Sequence, residues 1–254
     1  MIKQSFAKVN VFLKISGKRD NYHEIVSRFV RVPSLYDVIS FDEGRFEDFT
    51  LVGNFGCETK KNTIYKAYEK LKEISPKVEE YFKKYCVIVN KSIPEFAGLG
   101  GGSSNAATFM LMINEACSLN LSKDELATIG VQIGADVPFF IYEYDSANVT
   151  GIGEIVEKFD EEVLDFEIIT PKIECNTGKI FTRFRDKFYK EIDNQLKDKL
   201  LNLKSKEILS LYNIKELNDL YEAASDVYEV LKEYDKNWYF FSGSGSSFFK
   251  VKYE

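Results

Sequence analysis

The stretch "PEFAGLGGGSSNAA", residues 94–107, decides what fold this chain can adopt. It places four glycines and two serines between a β-rich run, "YCVIVNKSI" at 85–93, and an apolar run that predicts a helix capped by Ser103 or Ser104. Backbone N–H groups of a glycine loop can converge on one point, and a helix N-terminus carries about half a positive charge. This setting favours an anion site, while a plain structural turn stays open from these residues alone.

The letters of this stretch exclude one common phosphate loop and do not match the full pattern of a second. A Walker A loop needs a lysine followed by serine or threonine after its last glycine, and Ser103 follows Gly102 here. A Rossmann loop needs a third glycine where Ser103 stands, and it follows the first strand of a domain instead of lying in mid-chain. An anion held here would be bound by backbone N–H groups and by serine hydroxyls.

Periodicity predicts the elements around the loop. Val9, Val11, Leu13 and Ile15 alternate with Lys8, Asn10, Phe12 and Lys14, so we expect a strand with one buried face and with Lys8 and Asn10 on the same side. The remaining expectations are a turn at 18–21, strands at 22–32, 85–93 and 167–173, helices at 62–84, 122–134, 189–211 and 214–234, an extended segment at 135–142 and a terminal hairpin within 237–254.

Composition narrows the function classes. Hydrophobic residues make up 44% of the 254 positions and charged residues 29%, which is typical of a globular chain with a sizeable core. A formal charge of -6 argues against general binding to nucleic acid or to a membrane surface. No apolar run is long enough for a signal peptide or a membrane span, and the four scattered cysteines suit a reducing cytoplasm. We therefore expect a cytoplasmic protein.

Single residues are weak signals when each is taken alone. His23 is the only histidine, which excludes metal sites built from several histidines. Asp136, in "GADVPFF", is more simply a turn or cap aspartate, and Lys8 is more simply a solvated strand lysine. "SGSGSS" at 242–247 is compatible with an ordinary hairpin turn. Any chemistry must rest mainly on lysine, aspartate, serine and backbone groups.

The order of three segments is far more specific than any one of them. "AKVNVFL" at 7–13, the glycine loop at 94–107 and "FSGSGSSFF" at 241–249 resemble the three motifs of the GHMP kinases, small-molecule kinases named for galactose, homoserine, mevalonate and phosphomevalonate. A narrower resemblance is to the members that phosphorylate the 2-hydroxyl of 4-diphosphocytidyl-2-C-methyl-D-erythritol in the non-mevalonate route to isoprenoids. It rests on "AKVNVFLKISGKRDNYHEI", "GLGGGSSNAAT", "IGADVPFFI" and "VTGIGEIVE".

This resemblance implies a fold and a division of the chain. The expected fold is α+β with two domains. Residues 1–158 would form an N-terminal α/β sandwich like ribosomal-protein S5 domain 2, which binds ATP and carries the catalytic groups. Residues 159–254 would form a ferredoxin-like substrate domain, with the active site between the two.

The resemblance also assigns roles to residues. Asp136 would be the general base and Lys8 its cationic partner, while the acceptor, a cytidine diphosphate, would stack its cytosine between Tyr22 and Phe181. His23 would read the cytosine edge, and Asn10 and Thr177 would hold the chain of the acceptor. ATP, with Mg²⁺, would lie on Pro94, Glu95, Phe96, Ala97, Gly98, Leu99, Gly100, Gly101, Gly102, Ser103 and Ser104, near Asn62 and Lys91.

Some expectations are left open at this level. No protein carboxylate stands out as a metal ligand, so phosphates, Ser104 and water would hold Mg²⁺. The protein would be a monomer or a homodimer. Two positions depart from the family pattern: Asn21 replaces the glycine of D-G-Y-H, and Phe96 replaces the first glycine of the loop. The alternatives are a mevalonate-, homoserine- or sugar-type GHMP kinase, a nucleotide-binding protein without catalysis, and a dinucleotide-binding protein.

Overall fold

The computed structural model describes residues 1–20, 22–235 and 239–252, so Asn21 lies outside the described residues. The chain forms two compact units from alternating segments. The first unit contains Met1–Ala7, Leu35–Ile93 and Gly101–Glu143, and the second contains Lys8–Ser34, Pro94–Gly100 and Tyr144–Glu254. The division into 1–158 and 159–254 stays a prediction.

Two long strands, β1 (Ile2–Arg19) and β2 (Tyr22–Glu43), pair with each other and contribute to both units. The strands expected at 9–15 and 22–32 are therefore confirmed, although both extend further. The prediction of one buried face on β1 is wrong, because Lys8, Asn10 and Lys14 are buried together with the apolar residues between them. Buried side chains of this kind need hydrogen-bond partners, which are described below.

In the first unit, β4 (Tyr85–Asn90) runs antiparallel to β2, with Val38 opposite Asn90, and parallel to β3 (Leu51–Gly53). Aromatic rings fill the core, among them Phe82 and Phe109, whose centroids lie 5.6 Å apart. The helices are α1 (Thr63–Ile74), α2 (Pro76–Phe82), α3 (Gly101–Ala116), α4 (Lys123–Gly130) and α5 (Val137–Tyr142), with a 3₁₀ turn at Thr59–Lys61.

Several boundaries in the first unit differ from the sequence expectations. The helix expected at 62–84 is broken at Ser75, because the residue before a proline disfavours the helical conformation. The capping box of Ser122 and Glu125 is confirmed, but its helix ends at Gly130 instead of Gly134. The extended segment expected at 135–142 is wrong, since α5 forms there with a proline in its first turn, where the missing N–H costs nothing.

In the second unit, β2 pairs antiparallel with β5 (Ser146–Gly151), and β5 pairs with β6 (Ile155–Lys158). A second sheet has the order β7 (Phe166–Ile169), β9 (Phe248–Val251), β8 (Phe240–Phe241), which confirms the terminal hairpin over its described part. The helical segments are α6 (Thr177–Arg183), a π-helix at Phe184–Phe188, α7 (Asn194–Asn202), α8 (Ser205–Leu211), α9 (Ile214–Leu217), α10 (Asp219–Val227) and a 3₁₀ helix at Glu229–Tyr234.

The two long helices expected at 189–211 and 214–234 are wrong as single elements. Side chains of Asp193, Asn213 and Asn218 accept hydrogen bonds from backbone N–H groups and start new helices at α7, α9 and α10. Asparagine and aspartate compete with the helical backbone in this way, which favours several short helices. Among the residues that the structure describes, no helix is long and apolar enough to cross a membrane.

A buried ion pair stabilises the second unit. The Arg28 guanidinium lies 3.6 Å from the Glu161 carboxylate and donates to the Leu201 carbonyl oxygen at 3.0 Å. Burial lowers the pKa of Arg28 to about 10, against the raising effect of Glu161. Glu161 also accepts hydrogen bonds from the Ser205 backbone N–H at 2.7 Å and the Ser205 hydroxyl at 2.6 Å.

Candidate active site

The glycine loop has a left-handed backbone at alternating positions. The φ angles of Phe96, Gly98 and Gly100 are 52°, 73° and 71°. A Cβ atom on Gly98 would lie 2.1 Å from the carbonyl oxygen of Ser242, so only glycine fits there. Because α3 begins at Gly101, Ser103 and Ser104 lie inside its first turn, and the expectation that one of them caps the helix is wrong.

The third sequence motif packs directly on this loop. The Ser247 backbone N–H donates to the Ala97 carbonyl oxygen at 3.0 Å, and the Ser242 hydroxyl donates to the Gly98 carbonyl oxygen at 2.9 Å. The carbonyl oxygens of Ala97 and Gly98 therefore both accept hydrogen bonds from the third motif. The segment at 242–247 is therefore more than a hairpin turn, since it holds the loop in its conformation.

Phe96 has a left-handed backbone conformation, which glycine adopts more readily than other residues. Its positive φ explains why glycine suits this position, and a left-handed residue with a side chain costs about 1–2 kcal/mol. The ring is 53% exposed, and the carbonyl oxygen accepts the Cys175 backbone N–H at 3.4 Å. The bulky side chain thus exposes part of its apolar surface to solvent.

Lys8 is buried on β1, so its expectation as a solvated strand lysine is wrong. Its ammonium donates to the Asn10 side-chain oxygen at 2.6 Å and to the Gly98 carbonyl oxygen at 3.1 Å. The same nitrogen lies 4.6 Å from the centroid of the Phe29 ring, a cation–π contact. The predicted common side of Lys8 and Asn10 is confirmed, and the cation is held against the backbone of the glycine loop.

Asn10 is fixed from three directions. Besides accepting from Lys8, its amide nitrogen donates to the Ser27 hydroxyl at 3.0 Å, and its backbone N–H donates to the Ser242 hydroxyl at 3.3 Å. These contacts determine which end of the amide faces Lys8. Asn10 therefore connects β1, β2 and the third motif around one positive charge.

In the first unit, Lys91 belongs to a buried polar network. Its ammonium lies 2.5 Å from the Asp37 carboxylate and donates to the Asn105 side-chain oxygen at 3.0 Å. The Asn105 amide nitrogen donates to the Ser5 hydroxyl at 2.9 Å, and the Ser5 and Ser104 hydroxyl oxygens are 2.8 Å apart. Two predicted nucleotide residues, Lys91 and Ser104, are thus linked through side chains that the sequence analysis did not select.

Asn62 has a structural role at the start of α1. Its side-chain oxygen accepts the Ile64 backbone N–H at 2.9 Å as the helix N-cap. The neighbouring Thr63 hydroxyl donates to the Gly102 carbonyl oxygen at 2.7 Å. The start of α1 is therefore joined to the first turn of α3.

Asp136 lies at the N-terminal end of α5, and its side chain does not cap that helix. It belongs to the first unit and Lys8 to the second.

The residues expected to hold the acceptor meet only in part. The His23 ring stacks on Phe181 with a centroid distance of 5.3 Å, while Tyr22 is 65% exposed. The His23 Nε2 atom is buried without a hydrogen-bond partner, and burial, aided by Arg185 and Lys18, lowers the pKa of the ring. The Thr177 hydroxyl pairs with that of Ser244 at 2.8 Å.

Asp37 and Ser242 are site residues that no sequence motif selects individually. Asp37 stands in "SLYDVIS", where a charged residue interrupts a β-forming run, and that interruption was the available signal. Ser242 belongs to the third motif, which contains four serines, and only the fold shows that the Ser242 hydroxyl contacts Asn10 and Gly98.

The glycine loop and the start of α3 present backbone N–H groups of the kind that can receive a phosphate group. The backbone N–H groups at the start of α3 follow a glycine-rich loop. Glycines let the backbone approach an anion closely, as anion sites at helix N-termini require. Within the described ranges there is no group of three or more histidine, cysteine, aspartate or glutamate side chains that could hold a metal ion.

Comparison with known proteins agrees with this geometry. Residues 62–144 match the GHMP kinases N terminal domain family. The chain is 54% identical to the 4-diphosphocytidyl-2-C-methyl-D-erythritol kinase of Sulfurimonas denitrificans, over 98% of this chain and 96% of that protein. It is 37% identical to the enzyme of the same name from Campylobacter jejuni, over 98% of this chain and 99% of that protein.

Solved structures show the same relationship. A crystal structure of 4-(cytidine 5'-diphospho)-2C-methyl-D-erythritol kinase has a TM-score of 0.76 at 26% identity, covering 99% of this chain and 90% of that one. The Methanococcus jannaschii mevalonate kinase, at 14% identity, shares the fold with a TM-score of 0.61, covering 100% of this chain and 90% of that one. The predicted α+β GHMP kinase fold is confirmed, and the chain belongs to the 4-diphosphocytidyl-2-C-methyl-D-erythritol kinase family of GHMP kinases.

Proposed function

We propose that this protein transfers the γ-phosphoryl group of ATP to the 2-hydroxyl of 4-diphosphocytidyl-2-C-methyl-D-erythritol, giving the 2-phosphate and ADP. The observation that carries the proposal is the Lys8 ammonium, buried and held 3.1 Å from the Gly98 carbonyl oxygen of the glycine loop. A cation fixed at a phosphate loop is suited to offset negative charge on a transferred group. The family membership supplies the acceptor.

Asp136 takes the role of general base in this proposal. Its carboxylate accepts the proton of the 2-hydroxyl as the hydroxyl oxygen forms its bond to phosphorus and the bond to the ADP oxygen breaks. Lys8 orients the hydroxyl and offsets negative charge on the transferred phosphoryl group. Phosphoryl transfer demands little covalent chemistry of the protein, so these two residues and the loop act mainly by position and charge.

The nucleotide is assigned to the glycine loop and α3. Backbone N–H groups of residues 95–104 offer donors to the phosphates, whereas Pro94 has no N–H and only shapes the start of the loop. Asn62 is the N-cap of α1, and Lys91 directly follows β4. Mg²⁺ bound with ATP would supply charge neutralisation. Because Ser104 is buried and paired with Ser5, Ser103, which is partly exposed, is the better placed hydroxyl of the two.

The cytidine end is assigned to His23, Tyr22 and Phe181. An imidazole Nε2 atom that is buried without a partner is costly unless a ligand completes its hydrogen bonding. The cytosine edge would supply that partner, while the exposed Tyr22 ring would cover a face of the base. Asn10 and Thr177 contribute to holding the diphosphate and the sugar alcohol.

The free state of all four cysteines supports a reducing, cytoplasmic setting for this activity. The test is to incubate the purified protein with Mg²⁺–ATP and the acceptor and to follow ADP and the phosphorylated product. Mevalonate, homoserine and galactose serve as competing acceptors in parallel reactions. Turnover of one of these instead of the cytidine compound would contradict the acceptor assignment, and absence of turnover with all of them would contradict the kinase activity.

A further inference from the structure

Asp37 lies at the centre of the buried network of the first unit. It is fully buried on β2, and its carboxylate takes part in four hydrogen bonds. The donors are the Lys91 ammonium at 2.5 Å, the Ser92 and Ile93 backbone N–H groups at 2.7 and 2.9 Å, and the Asn105 amide nitrogen at 2.9 Å. One carboxylate thus ties the segment that follows β4 to the first turns of α3.

The ion pair places a cation at the start of α3. A Cβ atom on Gly101 would lie 3.6 Å from the Lys91 ammonium nitrogen, so this charge sits beside the first residue of the helix. A buried ammonium is costly unless it is paired, and Asp37 supplies the pairing charge. Without that carboxylate, the Lys91 ammonium keeps only its hydrogen bond to the Asn105 side-chain oxygen and loses the negative charge that pairs with it.

A second arm of the network reaches Ser104. Asp37 accepts one hydrogen of the Asn105 amide, and the Asn105 side-chain oxygen accepts from Lys91, so the orientation of the amide is determined. The same amide nitrogen then donates to Ser5, whose hydroxyl pairs with that of Ser104. The carboxylate therefore controls, through two intermediates, how the first turn of α3 is packed.

We propose that Asp37 is a positioning residue for nucleotide binding, which holds Lys91 and the first turn of α3 in the geometry that receives the phosphates of ATP. This inference rests on the proposed function, because Lys91 and Ser104 are nucleotide residues only within it. Every member of the network belongs to the first unit, whereas the residues assigned to the cytidine acceptor belong to the second. Loss of Asp37 should therefore weaken the nucleotide and spare the acceptor.

The test measures binding of a non-hydrolysable ATP analogue by calorimetry, with Mg²⁺ and without acceptor. We expect Asp37→Asn to raise its Kd by about 10-fold or more, a loss similar to that caused by removing an outer hydrogen-bond partner of a metal ligand. Steady-state assays should show a matching rise in the KM for ATP, with the KM for the acceptor unchanged. Ser5→Ala, which cuts only the arm to Ser104, should have a smaller effect in the same direction.

A double-mutant cycle separates positioning from general damage. If Asp37 acts through Lys91, Asp37→Asn should change the Kd by less than about 2-fold in a Lys91→Met background, since the lysine it positions is gone. Glu161→Gln is the matched control, because it removes the charge of another buried, ion-paired carboxylate in the second unit. It should lower the melting temperature and leave the Kd of the analogue unchanged.

The outcomes are distinguishable. A wild-type protein that does not bind the analogue would contradict the proposed function and this inference together. Normal analogue binding by a folded Asp37→Asn variant would overturn the role of Asp37 and leave the proposed function intact. The same holds if Asp37→Asn changes the Kd equally in the wild-type and Lys91→Met backgrounds. If Asp37→Asn does not fold, Lys91→Met and Ser5→Ala decide, because unchanged analogue binding by both would show that the network does not position the nucleotide.

Discussion

The ammonium of Lys8 lies 3.1 Å from the carbonyl oxygen of Gly98, although the two residues are 90 positions apart in the chain. Asn10 holds the same ammonium at 2.6 Å, and the Ser242 hydroxyl shares the Gly98 oxygen at 2.9 Å. The three sequence motifs therefore meet around one buried positive charge. This arrangement defines the first residues to be tested.

Replacing Lys8 with methionine should abolish most of the activity while the fold persists. Methionine fills a similar volume, but it removes the charge that offsets the transferred phosphoryl group, so we expect kcat to fall by about 10²–10³. The measurement is kcat with saturating ATP and acceptor, alongside the circular dichroism spectrum. Lys18→Met is a control on the same strand, because the Lys18 ammonium stacks on the Tyr189 ring instead. Near-normal activity of Lys8→Met would remove Lys8 from the mechanism.

Asp136→Asn should lower kcat by about 10²–10⁴, because the amide cannot accept the proton of the hydroxyl. Both KM values should stay within about threefold, since the side-chain volume is retained. Glu143→Gln, an exposed carboxylate at the other end of α5 that pairs with Lys123, is the control and should keep full activity. A variant of Asp136 with normal turnover would leave this aspartate a structural residue.

Gly98→Ala should destabilise the fold by about 3 kcal/mol, from left-handed strain plus overlap with the Ser242 carbonyl oxygen, which would lie 2.1 Å from the new Cβ. Urea unfolding followed by circular dichroism measures the change. Gly102→Ala is the contrasting variant, since its Cβ would meet Thr63 atoms only at 3.5 Å and beyond. Its stability should equal or slightly exceed that of the wild type, and equal losses in the two variants would refute the steric argument.

His23 should make acceptor binding sensitive to acid. Burial, with Arg185 and Lys18 nearby, lowers the pKa of the imidazole, so the folded protein takes up this proton at a lower pH than the unfolded chain. The resulting stability is present above pH about 6.5, the usual value for histidine, and is lost as the pH falls through the folded pKa. An NMR titration of the single histidine should give a midpoint below 6.5.

The same protonation should raise the acceptor KM. A neutral Nε2 atom can accept a hydrogen bond, whereas the protonated ring can only donate. We expect a constant KM for the acceptor between pH 7 and 9 and a rise below the midpoint, with no such rise in the KM for ATP. His23→Gln should remove the acid-dependent rise, and a midpoint above 6.5 in the free protein would contradict the burial argument.

Local patterns predicted elements well where the signal came from neighbouring residues. The β-strand around Val9–Ile15, the capping box of Ser122 and Glu125 and the hairpin around 242–247 are all confirmed, because alternation, caps and turns depend on residues a few positions apart. The long helices expected after residue 189 are wrong, since asparagine and aspartate side chains restart the helix several times. Propensity alone does not show which polar residue will cap.

In the candidate site, too, the features set by local sequence could be predicted, and those set by contacts between distant residues could not. The order of the motifs in the sequence was sufficient to select the glycine loop, Lys8 and Asp136, and the relatives at 54% and 37% identity agree with the family. The sequence could not show that Lys8 is buried, because its alternation with apolar residues predicts one exposed face and the fold covers both. It could not select Asp37 either, since the four donors around that carboxylate come from two segments, 91–93 and Asn105, that are far from it in the chain.

The sequence by itself determined the class of the protein, its glycine loop and the residue types available for chemistry. These follow from short stretches whose letters limit backbone conformation and charge, as Gly98 and its neighbours do. Tertiary structure alone decided which groups face each other: Lys8 against Gly98, Asp37 against Lys91, and His23 against Phe181. The physical reason is that a charge gains its strength and its position from burial and from partners distant in sequence, which no local pattern contains.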